Sequence, residues 1–323
     1  MYGIYETDED WVVFNNNFND KLSSEILNFL SDYEGVTFGK KFNQPVDNLP
    51  NSITHIVFNN CFNQPVDNLP DNIIFIRFCQ YGNFNQPMDN LPNSLIHLSM
   101  GEVFNQPVDN LPESLTYLEF GEESDFNHPI NNLPKSLKHL ILGQSFNQSV
   151  DNLPDSLTHL IFADGSVFNQ PVDNLPYSLT HLKFGYSFDQ LVDNLTNSLT
   201  HLEFGYYFDQ PVDNLPESLE NIVFGSWFNQ PVDNLPESVS CIVFQWQFNQ
   251  PVENLPKSLA NLTFGQDFDQ PVDNLPNSLT HLEFGQEFNQ PIKKYPLSLK
   301  KINISENYSH PLPDNIEIER YKI

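Results

Sequence analysis

Seven of the nine histidines of the chain recur at one position of a repeating segment: His55, His97, His139, His159, His181, His201 and His281. Imidazoles in a row could ligate a metal or titrate near about pH 6. A metal site wants ligands converging from several directions, which a straight row does not supply, so these rings read as polar strand residues facing water. A second column is acidic: Asp47, Asp67, Asp89, Asp109, Asp151, Asp173, Asp193, Asp213, Asp233 and Asp273. Two neighbouring turns could share a calcium ion, but the glycine-rich nonapeptide of calcium β-rolls is missing, and turn-capping carboxylates are the simpler reading. Cys61, Cys79 and Cys241 are too few for a disulfide framework and suit a reducing compartment. Cys61 and Cys79 sit in the same loop of successive turns, close enough to raise the question of a pair. No phosphate-cradling Gly-Lys loop, no G-x-S-x-G and no H-E-x-x-H is present, and the carboxylates are periodic. The expectation is a chain without catalytic residues, bound metal or cofactor.

The formal charge of -28 over 323 residues excludes the phosphate-neutralising chemistry of nucleic-acid binders and disfavours anionic membrane surfaces. Any partner steered by charge should present a basic surface. With 28 Phe the chain is too apolar to be disordered. The acidic start, Met1 to Asp10, is unlike a signal peptide, and no apolar run is long enough to span a bilayer. These features point to a cytoplasmic protein.

The elements that position these columns follow from the repetition. The phrase F-N-Q-P-V-D-N-L-P returns thirteen times between Phe42 and Phe288, every 20 or 22 residues. The longer units carry Gly82-Asn83, Ser124-Asp125 or Ser166-Val167 before the Phe, and these pairs are expected to bulge from one edge. In L-x-x-L-x-F, Leu182 and Phe184 alternate with His181 and Lys183, the period of a half-buried strand. Two prolines in most units forbid a helical return, leaving an irregular one. Leu179, Leu182, Phe184, Phe188, Val192 and Leu195 are the inward set of one unit. So few apolar side chains cannot offset the ordering of a whole turn, so the copies must stack. The Asn before Leu-Pro, from Asn48 to Asn274, is expected to bond backbone groups that the prolines leave unpaired.

The reading is therefore a mainly β repeat solenoid with a parallel sheet on one face and irregular return segments. Residues 1–38 form an N-terminal cap, 39–307 the stack, and 308–323 a degenerate C-terminal cap. Within the first cap, Leu22, Ile26, Phe29 and Leu30 predict an amphipathic helix over Asn19 to Asp32, capped by Asn19 or Asp20, between strands at Trp11–Phe14 and Val36–Phe38. Tyr308-Ser-His-Pro is a decayed box, and Ile316–Arg320 a charged final strand.

The F-N-Q-P box followed by V-D-N-L-P-x-S-L-x-x-L-x-F-G resembles the FNIP repeat family, with Gln in place of Ile, over residues 36 to about 305. These repeats are similar to short leucine-rich repeats, which implies a curved solenoid with its parallel sheet on the concave face. Such proteins occur in amoebae and the large DNA viruses that infect them. Some relatives carry an F-box, which recruits a ubiquitin ligase through Skp1. Leu22 to Ser31 looks like the first helix of an F-box, although the strand at Val36 leaves no room for two further helices. The resemblance implies no catalytic residues.

Function should lie where the copies differ. One varied column, between the buried Leu and Phe, includes Ile141, Ile161, Lys183, Glu203, Val223 and Val243, all expected on the exposed strand face. The other follows the Gly position and gathers Tyr186, Tyr206, Tyr207, Trp227 and Trp246 over four consecutive turns. Exposed Tyr and Trp are favoured interface anchors, while rings folded on their neighbours would only cover the sheet edge. The expected function is a protein-interaction scaffold; the alternative is a substrate receptor using residues 22–31.

Overall fold

The computed structural model describes residues 5–322, which fall into two compact units, one ending at Ser166 and one starting at Val167. The first unit holds β1 (Tyr5–Asp8), β2 (Trp11–Phe14), α1 (Ser24–Leu30), β3 (Gly35–Thr37), β4 (His55–Phe58), β5 (Phe75–Phe78), β6 (His97–Ser99), β7 (Tyr117–Glu119), β8 (His139–Leu142) and β9 (His159–Phe162). The second holds β10 (His181–Lys183), β11 (His201–Glu203), β12 (Asn221–Phe224), β13 (Cys241–Phe244), β14 (Asn261–Thr263), β15 (His281–Glu283), β16 (Lys301–Ser305) and β17 (Glu317–Tyr321). From β2 to β9, and again from β10 to β17, each strand pairs in parallel with the next, so each unit is a parallel β-solenoid. Equivalent residues face each other, as in Leu202↔Ile222 and Leu262↔Leu282.

The alternation seen in the sequence is the alternation of the pleat. Leu179, Leu182, Phe184, Phe188, Val192 and Leu195 are all buried. Within a turn the strand Phe lies against the box Phe, with centroids 3.6 Å apart for Phe184–Phe188 and 4.1 Å for Phe224–Phe228. The same rings then stack on the next turn, as in Phe208–Phe228 at 6.0 Å. Two aromatic columns thus run through the core of each unit, the strand column being interrupted in the first unit by Met100 and Leu142.

Polar ladders hold the irregular returns, but not as expected. The Asn before Leu-Pro donates to a side chain of the preceding turn, Asn194 Nδ2 to Asp173 Oδ1 at 3.0 Å, Asn234 Nδ2 to Asp213 Oδ1 at 3.0 Å and Asn152 Nδ2 to Asn131 Oδ1 at 3.2 Å, where a backbone partner was expected. The backbone partner is the other Asn or Asp, in the box: Asn63 Oδ1 accepts Asn85 N–H at 3.0 Å and Gln86 Nε2 at 3.1 Å. The Ser of L-P-x-S-L adds a third row, with Ser238 Oγ donating to Leu219 O at 2.7 Å. The sequence shows which positions are polar; the path of the turn decides which carbonyl or N–H each one meets.

Each inserted pair divides between core and surface: its first residue, Gly82, Ser124 or Ser166, turns inward, while its second, Asn83, Asp125 or Val167, is exposed. Gly82, Ser124 and Ser166 each close the same turn, donating N–H to Cys79, Gly121 and Ala163 O at 2.9, 3.0 and 2.9 Å. All three are buried, because the added residues form a tight turn that returns the chain to its core Phe. The cysteines are free thiols; Cys61 precedes a box Phe whereas Cys79 follows a strand Phe, so the two are not equivalent positions.

At the N-terminus β1 and β2 form an antiparallel hairpin, turning at Glu9 with φ 41°. The helix begins at Ser24, with Ser23 as N-cap accepting from Ile26 N–H, so Asn19 and Asp20 lie outside it. Asn19 instead accepts Asn43 N–H at 2.8 Å, and Phe18 stacks on Phe42 at 5.8 Å. Phe18-Asn19 is therefore a degenerate box, one turn ahead of the first copy found by its sequence. Among the described residues α1 is the single helix, with Ile26 and Leu30 buried, and β3 and β4 follow where an F-box would need further helices. At the other end Tyr308 replaces the box Phe, stacking on Phe288 at 5.7 Å. Arg320 Nη1 lies 3.4–3.5 Å from the carbonyls of Ser305, Glu306 and Tyr308 and closes the last turn.

Candidate functional site

The position of each outward side chain follows from the pleat: between two buried strand residues, the intervening one must face away from the core. In the second unit this places Lys183 opposite Glu203 and Val223 opposite Val243. Lys183 Nζ reaches Glu203 Oε1 at 2.9 Å, a pair exposed enough to contribute little to stability. Val223 and Val243 are half-buried, as are Ile141 and Ile161 in the first unit, so these apolar pairs are less open than their sequence position suggests.

The aromatic edge follows the strands of the second unit. Tyr186 stacks on Tyr206 at 4.9 Å, and Tyr207 stands edge-on to Tyr186, Tyr206 and Trp227 at 4.7, 5.1 and 5.1 Å. The Tyr186 hydroxyl donates to that of Tyr207 at 3.3 Å, which holds the Tyr186 phenol above its ordinary pKa. Four of the rings thus cover one another and remain exposed. Trp246 differs: it is 62% exposed and has no ring partner among the described residues. The first four rings cover one another, whereas the Trp246 indole stands apart from them. Beneath them Ser226, buried, donates to Gln245 Oε1 at 2.8 Å, a bond that fixes the turn carrying Trp246 and that no sequence signal marks.

The histidine row forms stacked pairs, His139–His159 at 4.3 Å in the first unit and His181–His201 at 4.2 Å in the second. In the first unit Phe75, His97 and Tyr117 continue the stacking, at 4.5 and 4.2 Å. Thr200 Oγ1 donates its one hydrogen to Thr180 O at 3.1 Å, so His201 Nδ1, 2.9 Å away, must donate to Thr200. The other nitrogen, Nε2, then accepts from Asn221 Nδ2 at 3.0 Å. His201 is used as a structural joint at both nitrogens. Among the described residues no three His, Cys, Asp or Glu side chains converge where an ion could sit.

One irregular cluster escapes the periodic reading. His97 Nε2 lies 2.9 Å from Ser99 Oγ, which donates to Glu119 Oε2 at 3.1 Å, with Tyr117 OH 3.4 Å from the same oxygen. Its membership resembles a Ser-His-acid set, but the wiring is reversed: the serine hydrogen goes to the carboxylate, so His97 must donate and is not placed as a base. Burial lowers the His97 pKa, opposed by Glu119, and raises that of Tyr117. The cluster is a packed polar bridge between β6 and β7.

Among the described residues no helix is long and apolar enough to cross a membrane. The chain is 33% identical to CroV588, a circular leucine-rich-repeat protein, with a TM-score of 0.56, covering 97% of this chain and 62% of that one. It therefore spans less than two thirds of that protein's length. The functional domain of InlJ from Listeria monocytogenes, at 11% identity, 95% and 72% coverage and a TM-score of 0.65, shares the fold alone. No curated protein matches the chain. FNIP repeat models match residues 42–81, 84–123, 126–165, 168–194, 191–227, 228–267, 248–287 and 268–307, which is the stretch where Phe pairs, Asn–Asp rungs and in-register strands recur. With box, strand and stacking agreeing copy by copy, the chain belongs to the FNIP repeat family of leucine-rich-repeat-like solenoids.

Proposed function

We propose that the chain is a non-enzymatic protein-interaction scaffold, acting in the cytoplasm, that engages a partner with a basic surface. The contact surface is the aromatic edge with the neighbouring strand face: Tyr186, Tyr206, Tyr207, Trp227 and Trp246, flanked by Lys183, Glu203, Val223 and Val243. The observation that carries this reading is Trp246, an indole left 62% exposed at the end of a self-packed aromatic row. Burying such a ring against a partner removes a large apolar area from water, and its N–H stays available to a polar acceptor. The net charge of -28 favours approach of a basic partner and repels acidic ones. No cofactor is required by this role, and neither nucleic acid nor membrane fits the charge.

The test is a crosslinking capture from cell lysate, comparing the natural chain with the triple variant Tyr206→Ala, Trp227→Ala, Trp246→Ala. A specific basic protein should be captured by the natural chain and lost by about tenfold or more in the variant, since central aromatic anchors contribute about 2 kcal/mol or more each. The same capture should weaken with added salt. An identical catch from both chains, or none from either, removes the proposal.

A further inference from the structure

The aromatic edge of the second unit is bordered by unpaired carboxylates. Between the glycine position and the box Pro position, the six turns from Gly185 to Pro291 carry Asp189, Asp209, Asp267, Asp269 and Glu287, and no Lys or Arg. Asp267 and Glu287 are exposed, and the other three are half-buried. None of the five enters an ion pair among the described residues.

The fold does not require the charge at three of these positions. The residue after the box Phe accepts a backbone N–H of the next turn, and Asn and Asp do this alike. Asn229 Oδ1 accepts Asn249 N–H at 3.0 Å, and Asp209 Oδ1 accepts Asn229 N–H at 2.9 Å. The Gln of the next box is held alike as well: Asn249 Oδ1 takes Gln270 Nε2 at 3.1 Å, and Asp189 Oδ1 takes Gln210 Nε2 at 2.9 Å. An uncharged amide would therefore serve the ladder at Asp189, Asp209 and Asp269. In the first unit this position is Asn in every copy, from Asn43 to Asn147. The Asp copies belong to the unit that carries the aromatic edge.

These carboxylates lie beside the rings and within reach of solvent. Asp209 follows exposed Tyr207 across the buried Phe208. Asp189 and Asp209 each keep an Oδ2 that accepts no hydrogen bond and is not among the buried side-chain atoms. Asp267 N–H donates to Trp246 O at 2.9 Å, which sets Asp267 one turn beyond the open indole, and Glu287 N–H donates to Gln266 O at 3.0 Å, one turn further. Turns of a parallel sheet are about 4.8 Å apart, so the six turns from Tyr186 to Glu287 make a row of roughly 24 Å, the reach of about seven extended residues.

We propose that this edge binds an extended segment of a partner protein that carries several lysine or arginine side chains, with Asp189, Asp209, Asp267, Asp269 and Glu287 as its charge partners. The cationic side chains lie against Tyr207, Trp227 and Trp246, and their heads end on the flanking carboxylates. A cation is attracted by the face of an aromatic ring, and its long stem covers apolar surface while the charge stays at the rim. A purely apolar segment would strip water from the carboxylates without replacing it, and an acidic one would be repelled. The groups stand in single file along the turns, which suits a segment laid along the row. The inference rests on the reading of the aromatic edge as a partner surface, and it adds the residues that select the partner.

The test titrates the full chain with the blocked peptide Gly-Lys-Gly-Lys-Gly-Lys-Gly and follows tryptophan emission, with the same peptide acetylated at each lysine as control. The lysine peptide should change the emission saturably, and the acetylated peptide should not. Trp246→Leu should weaken lysine-peptide binding about fivefold or more. The triple variant Asp189→Asn, Asp209→Asn, Asp269→Asn should keep the urea midpoint of the natural chain, because Asn fills the same ladder role at Asn229 and Asn249. It should bind the lysine peptide about tenfold more weakly, since each exposed ion pair contributes roughly twofold. Equal binding of the acetylated peptide, unchanged binding in the triple variant, a lowered midpoint in that variant, or no saturable signal at any attainable concentration overturns the proposal. Lysate capture that needs Trp246 but is unchanged in the triple variant removes this inference and leaves the scaffold. Peptide binding that is lost in the triple variant, with an empty capture, does the reverse.

Discussion

Phe228→Ala will destabilise the second unit by about 3–5 kcal/mol, read as a shift of the urea midpoint at unchanged slope. Phe228 is fully buried and touches rings on three sides: Phe224 at 4.1 Å within its turn, and Phe208 and Phe248 each at 6.0 Å in adjacent turns. Truncation removes the transfer energy of the ring and leaves a cavity. The cavity cannot close, because the rungs above and below are held at fixed spacing by the strand ladder on one side and the Asn-to-backbone row on the other. The cost then spreads, since each turn is stable only against its neighbours. Trp246→Ala, on the same unit, is the comparison: an exposed ring with no ring partner should cost about 0.5 kcal/mol or less. Similar costs for the two variants would contradict the column of stacked phenylalanines as the main source of cohesion.

Gly265→Ala should cost about 3 kcal/mol, the upper part of the range for overpacking. A methyl at Gly265 would lie 1.4 Å from Gln245 O and 2.1 Å from its carbonyl carbon, both backbone atoms that cannot rotate away. Gly165→Ala provides the contrast: its methyl would meet only Gln144 side-chain atoms at 3.7 Å and beyond, ordinary contact, and should change stability by no more than about 0.5 kcal/mol. Both are measured by thermal or urea unfolding of the full chain. A Gly265→Ala protein as stable as the natural one would mean that the close approach of successive turns is not required there. The glycine of the repeat is thus needed at Gly265 for room between turns.

Much of the fold was legible because its cause is local. The alternation of Leu182 and Phe184 with His181 and Lys183 needs only the pleat, and both Leu182 and Phe184 are buried. Stacking was legible because a twenty-residue turn cannot bury enough surface alone. The aromatic edge was legible as a column, yet nothing in the residue order tells that Trp246 stands apart while Tyr207 packs on three neighbours. Trp246 follows directly on Gln245, whose Oε1 accepts from Ser226 of the preceding turn. The hidden box at Phe18-Asn19 was missed because helix-capping and box-forming asparagines look alike in one dimension.

What the amino-acid sequence determined by itself was the period, the inward residues, the strand positions and the family, because these follow from side-chain size and spacing along one turn. What only the tertiary structure decided was which polar atom meets which. Asn194 faces Asp173 where a backbone partner was expected, Ser124 turns inward where a bulge was expected, and Asn303 Oδ1 is left without a donor. The partner of Asn194 lies one turn away along the chain, that of Asn303 Oδ1 is missing, and Ser124 turns in on Gly121 of its own turn. A hydrogen bond is settled by tenths of an ångström in how turns are stacked, a precision that residue spacing does not carry.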